Sequence, residues 1–394
     1  MRYSYTVFGA GRQGVALAYD LAARGEASRV VLAERDEATL HGAALRLRAL
    51  LPRTNCVFET ALCDVSKPDQ VLKALHGTTV AISAAPYRFN ALLAEISVDN
   101  GSSFCDLGGN TEIVRRELAL DARARAKGVS LVPDCGLAPG LCNHLAAHAV
   151  ATLEEPRSVR IFCGGLPERP VGPLGYKLVF SFEGLINEYS GFGETLRGGE
   201  RVDVPALTEV EDVEFPAPIG VLEAAVTSGG SSTCPTTWRG VLERYEYKTL
   251  RWPGHWKLVR ALFELGAFEP ELHLRDGRRV EPRSLLRALF EERLDFPDVA
   301  DLVLLRVVAE GRHGGAHRTL TYDLRDARDP ATGFSAMERA TAFPAALVAC
   351  LQARGEIAPG AAPLEQSVPA QRYFDELGAH DVQVTLRDSA SPNS

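Results

Sequence analysis

The 394-residue chain lacks the features that mark several large protein classes. Its formal net charge of −8 gives no excess of lysine and arginine, so a nucleic-acid partner is not expected. It has no long uncharged apolar run that could span a membrane, and no signal peptide precedes the first apolar strand. We therefore expect a cytoplasmic protein that binds neither nucleic acid nor membranes.

The chain also lacks paired cysteines. Its eight cysteines form no Cys-x-x-Cys motif, which argues against a zinc site or a redox motif, so we expect reduced thiols and no bound metal. Internal repeats and low-complexity linkers are missing as well. At 394 residues, with 46% hydrophobic residues, the chain is too long for one ordinary core, and we predict two domains.

What the sequence does contain is a glycine-rich turn directly after its first apolar strand. Gly9 permits a tight turn, Gly11 lets a pyrophosphate approach the backbone, and Gly14 allows the following helix to pack closely on the strand. The positive end of that helix would face the pyrophosphate. The sequence therefore predicts a nicotinamide dinucleotide site, in which the neighbouring contacts are Arg12 and Gln13.

An acidic residue ends the second apolar strand, twenty residues after the third glycine. This residue, Glu34, would accept hydrogen bonds from both hydroxyls of the adenosine ribose. Its carboxylate would repel a 2′-phosphate, so NAD is predicted in preference to NADP. Arg35 leaves room for NADP, because arginine commonly binds that phosphate. Further cofactor contacts are predicted after later strands, at Asp64 (which could equally cap the next helix), Ser83, Pro86 and Gly108.

Strand and helix patterns alternate through residue 133, which indicates parallel strands joined by right-handed crossovers. We predict a doubly wound parallel (Rossmann) sheet with helices on both faces in residues 1–133, completed by the C-terminal segment 345–394. Helices are expected at 12–24 and 111–127. The predicted strands are 3–8, 29–33, 56–58, 79–83, 103–107 and 130–133.

In residues 134–344 the regular alternation of strand and helix patterns ends, and strands dominate. This pattern predicts an α+β domain, to which we assign substrate binding and dimerisation. We expect an open antiparallel or mixed sheet with helices on one side. Residues 191–232 read as loops, and 389–394 as a polar tail. The predicted strands are 159–162, 176–182, 245–250, 303–310 and 319–324, and the predicted helices are 141–153, 255–265, 282–294, 335–354 and 369–377.

Several motifs together resemble the saccharopine dehydrogenase family of amino-acid oxidoreductases over nearly the whole chain. They are Asp-Leu-Gly-Gly at 106–109, Asp-Cys-Gly-Leu-Ala-Pro-Gly-Leu-Cys-Asn-His at 134–144, Gly-Gly-Leu-Pro at 164–167 and Pro-Leu-Gly-Tyr-Lys at 173–177. Residues 171–189 are similar to the L-lysine 6-dehydrogenase branch. The resemblance implies oxidation of the side-chain amine of L-lysine to a cyclising 6-semialdehyde, with release of ammonia. It also implies at least a homodimer.

A lysine amine has a pKa of roughly 10.4 and must lose a proton before hydride leaves, so the site needs a proton acceptor. The candidates are His144 and Lys177, and the sequence does not decide between them. Lys177 could instead bind a carboxylate, and each could be an ordinary structural residue. The resemblance places Arg251 at the substrate carboxylate. The remaining candidates are Cys135 and Asp106 beside the reacting atoms, and Tyr87 and Thr341 as substrate contacts. Cys135 could equally be a small apolar packing residue without a chemical role.

Two other functions fit the same motifs. One is a reductase of the saccharopine or carboxynorspermidine type, which condenses an amine with an oxo acid. The other is a non-catalytic nucleotide-binding protein that kept the fold.

Overall fold

The computed structural model describes residues 2–391, and within them two large β-sheets are flanked by helices. The first sheet is built from β1 (Tyr3–Phe8), β2 (Ala27–Glu34), β3 (Val57–Leu62), β4 (Val80–Ser83), β5 (Ser103–Asp106), β6 (Ser130–Val132) and β17 (Gly360–Ala361), numbered in chain order. Its seven strands are all parallel, in the order β17-β6-β5-β4-β1-β2-β3. The strand order reverses beside β1, as a doubly wound sheet requires.

Helices cover both faces of this sheet. They are α1 (Arg12–Arg24), α2 (Glu37–Leu50), α3 (Pro68–Ala74), α4 (Asn90–Asn100), α5 (Thr111–Leu118) and α6 (Asp121–Lys127). Tyr5 and Val7 of β1 pack into one apolar core with α1, whereas Phe8 packs into a second core with α3 and α4. Because successive strand residues point to opposite faces, β1 is buried on both sides. The predicted doubly wound sheet is confirmed.

The second sheet is mixed and has nine strands in the described residues. They are β7 (Glu155–Pro167), β8 (Phe192–Arg197), β9 (Glu200–Pro205), β10 (Thr208–Phe215), β11 (Gly220–Val226), β12 (Arg244–Arg251), β15 (Asp301–His313), β16 (Ala316–Ala327) and β18 (Val384–Ser391). The main path runs β10-β11-β12-β7-β15-β16-β18, and only β12 and β7 pair in parallel. The remaining elements are α7 (Leu141–Thr152), α8 (Phe182–Tyr189), α9 (Cys234–Thr237), α10 (His255–Glu264), the short pair β13 (Leu272–His273) and β14 (Arg279–Val280), α11 (Pro282–Arg293), α12 (Ala336–Ala353), α13 (Leu364–Ser367) and α14 (Ala370–Glu376).

Before the C-terminal segment, three predictions of local structure are wrong. Residues 176–181 form a loop, and only Phe182 begins a regular element, α8, which Ser181 caps by accepting from Gly184 N–H at 3.2 Å. Residues 191–232, expected to be loops, contain β8 to β11. The single helix predicted at 111–127 is divided at Ala119–Leu120 into α5 and α6.

The C-terminal segment divides between the two sheets. Strand β17 pairs with β6 and extends the first sheet, but β18 pairs with β16 of the second. Residues 389–391 are therefore strand rather than tail, and 392–394 lie outside the described residues. The domain boundaries at 133/134 and 344/345 stay predictions.

Candidate active site

The glycine turn between β1 and α1 has the geometry that a dinucleotide needs. Gly9 has φ +99°, and a Cβ on Gly14 would lie 1.8 Å from the Gly9 carbonyl oxygen, so both positions require glycine. A Cβ on Gly11 would meet no described atom within 4 Å. Gly11 caps α1 without a side-chain hydrogen bond, which leaves the first helical N–H groups available to an anion. These residues fit the pyrophosphate of a nicotinamide dinucleotide.

Glu34, at the end of β2, turns its carboxylate back onto the backbone. Oε2 accepts from Ala10 N–H at 3.2 Å, and Oε1 accepts from the N–H groups of Arg35 (2.8 Å) and Asp36 (3.2 Å). Asp64 closes its own turn, because Oδ1 accepts from Ser66 N–H and Oγ–H at 2.9 and 2.7 Å. Arg35 is exposed beside this turn.

Arg12 and Gln13 face the start of α12. The Arg12 guanidinium donates to Ser335 Oγ at 3.1 Å and lies 3.5 Å from the Glu338 carboxylate. Gln13 Nε2 donates to the Met337 carbonyl at 3.2 Å. Both side chains thus connect the glycine turn to α12.

The strand ends beyond β4 and β5 carry the other predicted cofactor and substrate residues. Ser83 Oγ donates to Asn90 Oδ1 at 2.7 Å, and Pro86 is exposed at the start of a 3₁₀ turn that holds Tyr87. The Tyr87 ring covers Gly109, where a Cβ would lie 3.4 Å from the ring. Gly108 has φ +80°, so it adopts a left-handed conformation that favours glycine.

A cavity of about 170 Å³ lies beyond the end of β5, between α5 and the second sheet. Among the described residues no lysine or arginine lines it, although Arg115 holds Glu112 and Glu194 at 3.0 and 3.4 Å from outside. The lining residues are Asn110, Thr111, Glu112, Asn187, Phe192, Glu194, Ser228, Gly229, Ser231 and Ser232. This is the candidate substrate cavity.

Three buried carboxyl groups lie behind the cavity: Asp106 at the end of β5, Asp134 just after β6, and Glu117 on α5. Asp106 Oδ1 accepts from Gly108 N–H at 2.6 Å, whereas its Oδ2 has no partner among the described residues. Burial raises the pKa of Asp106, and burial together with Asp106 raises that of Glu117 to about 11. Burial and Asp106 also raise the pKa of Asp134 to about 8. The Ser232 hydroxyl donates to Asp134 Oδ2.

His144 and Cys135 lie in the core and do not line the cavity. His144 is fully buried on α7 against Tyr373, with ring centroids 4.0 Å apart, and neither ring nitrogen has a partner in the described structure. Burial lowers the His144 pKa to about 3, so the ring is neutral near pH 7. The buried Cys135 thiol donates to the Val132 carbonyl at 3.2 Å, and burial raises its pKa. Their catalytic roles stay predictions that this arrangement does not favour.

Lys177 and Thr341 also make contacts within the protein. Lys177 Nζ donates to the carbonyls of Phe296 (2.8 Å) and Val299 (2.7 Å), and burial lowers its pKa. Thr341 Oγ1 lies on α12 at 3.4 Å from Met337 Sδ. Lys177 thus connects two loops of the second domain, away from the cavity lining.

Arg251, predicted to bind the substrate carboxylate, is buried on β12 and 1% exposed. Its guanidinium donates to Tyr189 Oη at 2.9 Å, the Leu250 carbonyl at 2.9 Å and the Glu188 carboxylate at 3.2 Å. Glu188 also accepts from Thr249 Oγ1 at 2.6 Å. In this conformation the guanidinium orients Glu188 rather than facing the cavity.

Sequence reasoning gave no side-chain role to Glu117, Asp134, Glu188 or Ser232. Asp134 was visible as an acid directly after β6, a position where ligands bind in doubly wound sheets. Glu117 and Ser232 gave no such signal, because one lies within an amphipathic helix and the other in a serine-rich loop. Among residues 2–391 no cluster of His, Cys, Asp and Glu has a metal-binding arrangement.

Comparison with known proteins decides the family. Residues 6–132 match the model described as saccharopine dehydrogenase NADP binding domain, and residues 136–382 match the saccharopine dehydrogenase C-terminal domain. The chain belongs to the saccharopine dehydrogenase family. It is an oxidoreductase of that family, with a fold that binds a nicotinamide dinucleotide. The resemblance inferred from the sequence motifs is confirmed.

The chain is similar to two saccharopine dehydrogenases from yeasts. Saccharopine dehydrogenase (NADP(+), L-glutamate-forming) of Schizosaccharomyces pombe is 28% identical over 151 residues, which are 36% of this chain and 32% of the relative. The match thus spans about a third of that protein. Apo saccharopine dehydrogenase (L-Glu forming) from Saccharomyces cerevisiae shares the fold, with a TM-score of 0.76 and 19% identity over 99% of this chain and 100% of that one.

These comparisons bear on the cofactor prediction. The family model and the Schizosaccharomyces pombe relative both carry NADP in their descriptions, which favours NADP rather than the NAD predicted from Glu34. The NAD prediction rested on the Glu34 carboxylate, which in the structure accepts hydrogen bonds from three backbone N–H groups. In the described part of the chain, no helix is long and apolar enough to cross a membrane.

Proposed function

We propose that this family member oxidises the side-chain amine of L-lysine, with NADP as hydride acceptor. The main support for an amino-acid substrate is the small size of the cavity at the end of β5. Its volume of about 170 Å³ is below the roughly 300–1,000 Å³ of pockets for drug-sized ligands. It suits a single amino acid better than a conjugate of two.

The charges around the cavity support an amino-acid substrate. Glu112 and Glu194 line it, and the guanidiniums of Arg115 and Arg201 approach Glu194 from outside at 3.4 and 3.5 Å. A carboxylate can bind an ammonium group and a guanidinium can bind a carboxylate, so the rim matches both charges of a free amino acid. The amides of Asn110 and Asn187 add neutral hydrogen-bonding groups.

The bound dinucleotide would supply the hydride acceptor, and the protein's own residues would position the amine and take its proton. The glycine turn would bind the pyrophosphate. Tyr87, which covers Gly109, and Asn187, whose Nδ2 donates to the Gly109 carbonyl at 2.8 Å, would border the reacting atoms.

For the adenosine end, we infer that Arg35 binds the 2′-phosphate. The positive charges of Arg35 and Lys67 both lie near Asp64. Hydrogen bonds from Ser66 lower the pKa of this carboxyl most, and the two charges lower it further. Arg35→Ala should weaken NADP binding by roughly 10-fold or more while leaving NAD binding within about 2-fold, because only NADP carries the phosphate. Titration of each nucleotide by calorimetry tests this, and an equal effect on both would refute it.

The deciding experiment for the reaction uses purified protein, L-lysine and NADP at alkaline pH, with absorbance of the reduced nicotinamide as readout. We expect turnover with lysine. In Glu194→Gln the KM for lysine should rise by roughly 10-fold, because a charged hydrogen-bond partner is lost. Glu200→Gln is the matched control, since Glu200 pairs with Arg239 at the surface of the same sheet.

A different substrate pattern would select another function. Turnover with saccharopine and none with lysine would assign the L-glutamate-forming activity named for the two relatives. Consumption of NADPH with an amine and an oxo acid would assign the condensing reductase. Nucleotide binding without turnover on any amine would favour the non-catalytic protein. A cytoplasmic location and a homodimer formed through the strand-rich second domain stay predictions.

A further inference from the structure

Asp134 and Ser232 form a hydrogen-bonded pair whose two members lie in different surroundings. Ser232 lines the candidate substrate cavity, whereas Asp134 is buried behind it and 4% exposed. The Ser232 hydroxyl donates to Asp134 Oδ2. The other carboxylate oxygen, Oδ1, is buried and accepts no hydrogen bond from any described residue. The carboxylate can therefore reach the cavity through one hydroxyl.

The backbone on both sides of this pair adopts costly conformations. Asp134 has φ +59° and Ser232 has φ +50°, a region that residues with a side chain rarely adopt. Gly108 is also constrained, because a Cβ there would lie 2.3 Å from Asp134 Oδ1. Two strained residues and one obligatory glycine thus hold a single carboxylate against a single hydroxyl.

We propose that Ser232 and Asp134 together accept the proton that leaves the substrate amine, an assignment that rests on the proposed function. The substrate ammonium gives a proton to Ser232 Oγ as the Ser232 hydroxyl proton passes to Asp134 Oδ2. The lone pair of the resulting amine forms the C=N bond while the adjacent C–H bond breaks, and its electron pair leaves as hydride to the oxidised nicotinamide. Ser232 touches the substrate, and Asp134 acts through Ser232.

The groups around Asp134 make its carboxylate a stronger base than an ordinary aspartate. The acids that face it are Asp106 on β5, Glu117 on α5 and Glu365 on α13, and the thiols of Cys135 and Cys142 lie nearby. Burial and the Asp106 charge raise its pKa to about 8, and the Ser232 hydrogen bond opposes this. A base with such a pKa matches an alkaline oxidation.

The pH dependence of turnover tests the assignment. With saturating lysine and NADP, the wild-type kcat should rise with pH around a midpoint near 8, where Asp134 loses its proton. Ser232→Ala should lower kcat by roughly 100-fold, and Asp134→Asn should abolish that midpoint as well. Ser284→Ala is the matched control, which should retain the wild-type rate and midpoint, because this exposed hydroxyl on α11 donates to Glu281 at 3.0 Å and lies outside the cavity lining.

A second readout needs no turnover. Because folding raises the Asp134 pKa from 3.8 to about 8, its proton stabilises the fold at low pH, and that contribution is lost as pH rises towards 8. The free energy of unfolding of the wild type should therefore fall more steeply with pH over this range than that of Asp134→Asn. The difference between the two slopes should correspond to the release of about one proton on unfolding.

The outcomes separate the two proposals. Wild-type turnover with unchanged rate and midpoint in both folded variants would overturn this assignment and leave the proposed function standing. Equal unfolding slopes for the wild type and Asp134→Asn would also overturn it. A wild type that binds NADP but oxidises no amine would overturn the proposed function, and this assignment with it.

Discussion

Among single residues, Glu117 is the most unusual group in the first domain. It is fully buried, and neither carboxyl oxygen has a donor among the described residues. Asp106 lies within hydrogen-bonding reach, and its Oδ2 is also without a partner. Two carboxylates cannot bond to each other, but one shared proton satisfies both. Burial raises the pKa of both groups, and the charge of Asp106 raises that of Glu117 further, so the pair retains one proton at neutral pH.

This arrangement predicts different results for two substitutions of Glu117. Glu117→Gln should change the free energy of unfolding by about 1 kcal/mol or less, because the amide can still donate to Asp106. Glu117→Ala should cost about 1–3 kcal/mol for the orphaned Asp106 oxygen, and more for the cavity left behind. Urea denaturation at pH 7 measures both. Equal losses in the two variants would refute the shared proton.

Arg251 allows a second residue-level prediction. Its guanidinium is fully buried and paired with Glu188. Arg251→Ala should therefore lower the free energy of unfolding by about 3–5 kcal/mol, because it leaves Glu188 without its ionic partner. Arg239→Ala removes an exposed ion pair with Glu200 and should cost less than about 1 kcal/mol.

The same variants test the carboxylate-binding role predicted for Arg251. If the guanidinium bound the substrate directly, Arg251→Ala would raise the KM for lysine with little loss of stability. Thermal unfolding measured beside steady-state kinetics distinguishes the two roles.

At the level of elements, the β1–turn–α1 unit contains a glycine whose substitution should weaken cofactor binding without destabilising the fold. Gly11→Ala should weaken NADP binding by at least roughly 10-fold, because its Cβ would occupy the space that the pyrophosphate approaches. Its free energy of unfolding should change by about 1 kcal/mol or less, since no described atom lies within 4 Å of that Cβ.

Two other glycines serve as controls for this prediction. Gly42 lies within α2 and also has open space around it, so Gly42→Ala should stabilise the protein by roughly 0.5–1 kcal/mol and leave NADP binding unchanged. Gly14→Ala should destabilise it, because its Cβ would overlap the Gly9 carbonyl. Unaltered NADP binding by Gly11→Ala would contradict the assigned site.

Elements with a strong periodic pattern could be predicted from the sequence. Strand β1 is buried on both faces, and α1 spans residues 12–24 as expected. Strand β10 was missed, because half of its eight residues are charged and only two are buried, so its apolar signal is weak. Residues 176–181 have a strand-like composition but no strand partner, and tertiary contacts such as the Lys177 hydrogen bonds hold them as a loop.

The candidate site was harder to predict than the fold. The glycine turn is local in sequence, so its spacing was sufficient. Asp134 and Ser232 are 98 residues apart, and only the packing of the second sheet on the first brings them together. Conversely, the family resemblance singled out Arg251, but its burial beside Tyr189 depends on α8, which was expected to be strand at its start.

In the whole molecule, α12 connects the two sheets. At its start, the Asp301 carboxylate on β15 accepts from the N–H groups of Ala336 and Met337 at 2.9 and 2.8 Å. Near its end, Gln352 Nε2 donates to the carbonyls of Phe104 on β5 and Ser130 on β6 at 3.0 and 3.1 Å. Because the helix is buried almost throughout, it cannot stay folded on one sheet while the other unfolds without exposing apolar surface.

We therefore expect the two sheets to unfold together. The three tryptophans, Trp238, Trp252 and Trp256, all lie near β12, so their fluorescence reports on the second sheet, whereas far-ultraviolet circular dichroism reports on both. NADP at about 100 times its dissociation constant should raise the free energy of unfolding by about 2.7 kcal/mol, equally in both signals, although it binds to the first sheet. At the same NADP concentration, Gly11→Ala should show at most about half of this shift, roughly 1.4 kcal/mol or less, because its affinity is at least roughly 10-fold lower. A fluorescence transition that NADP leaves in place would mean that the second sheet unfolds independently and that α12 does not couple the two.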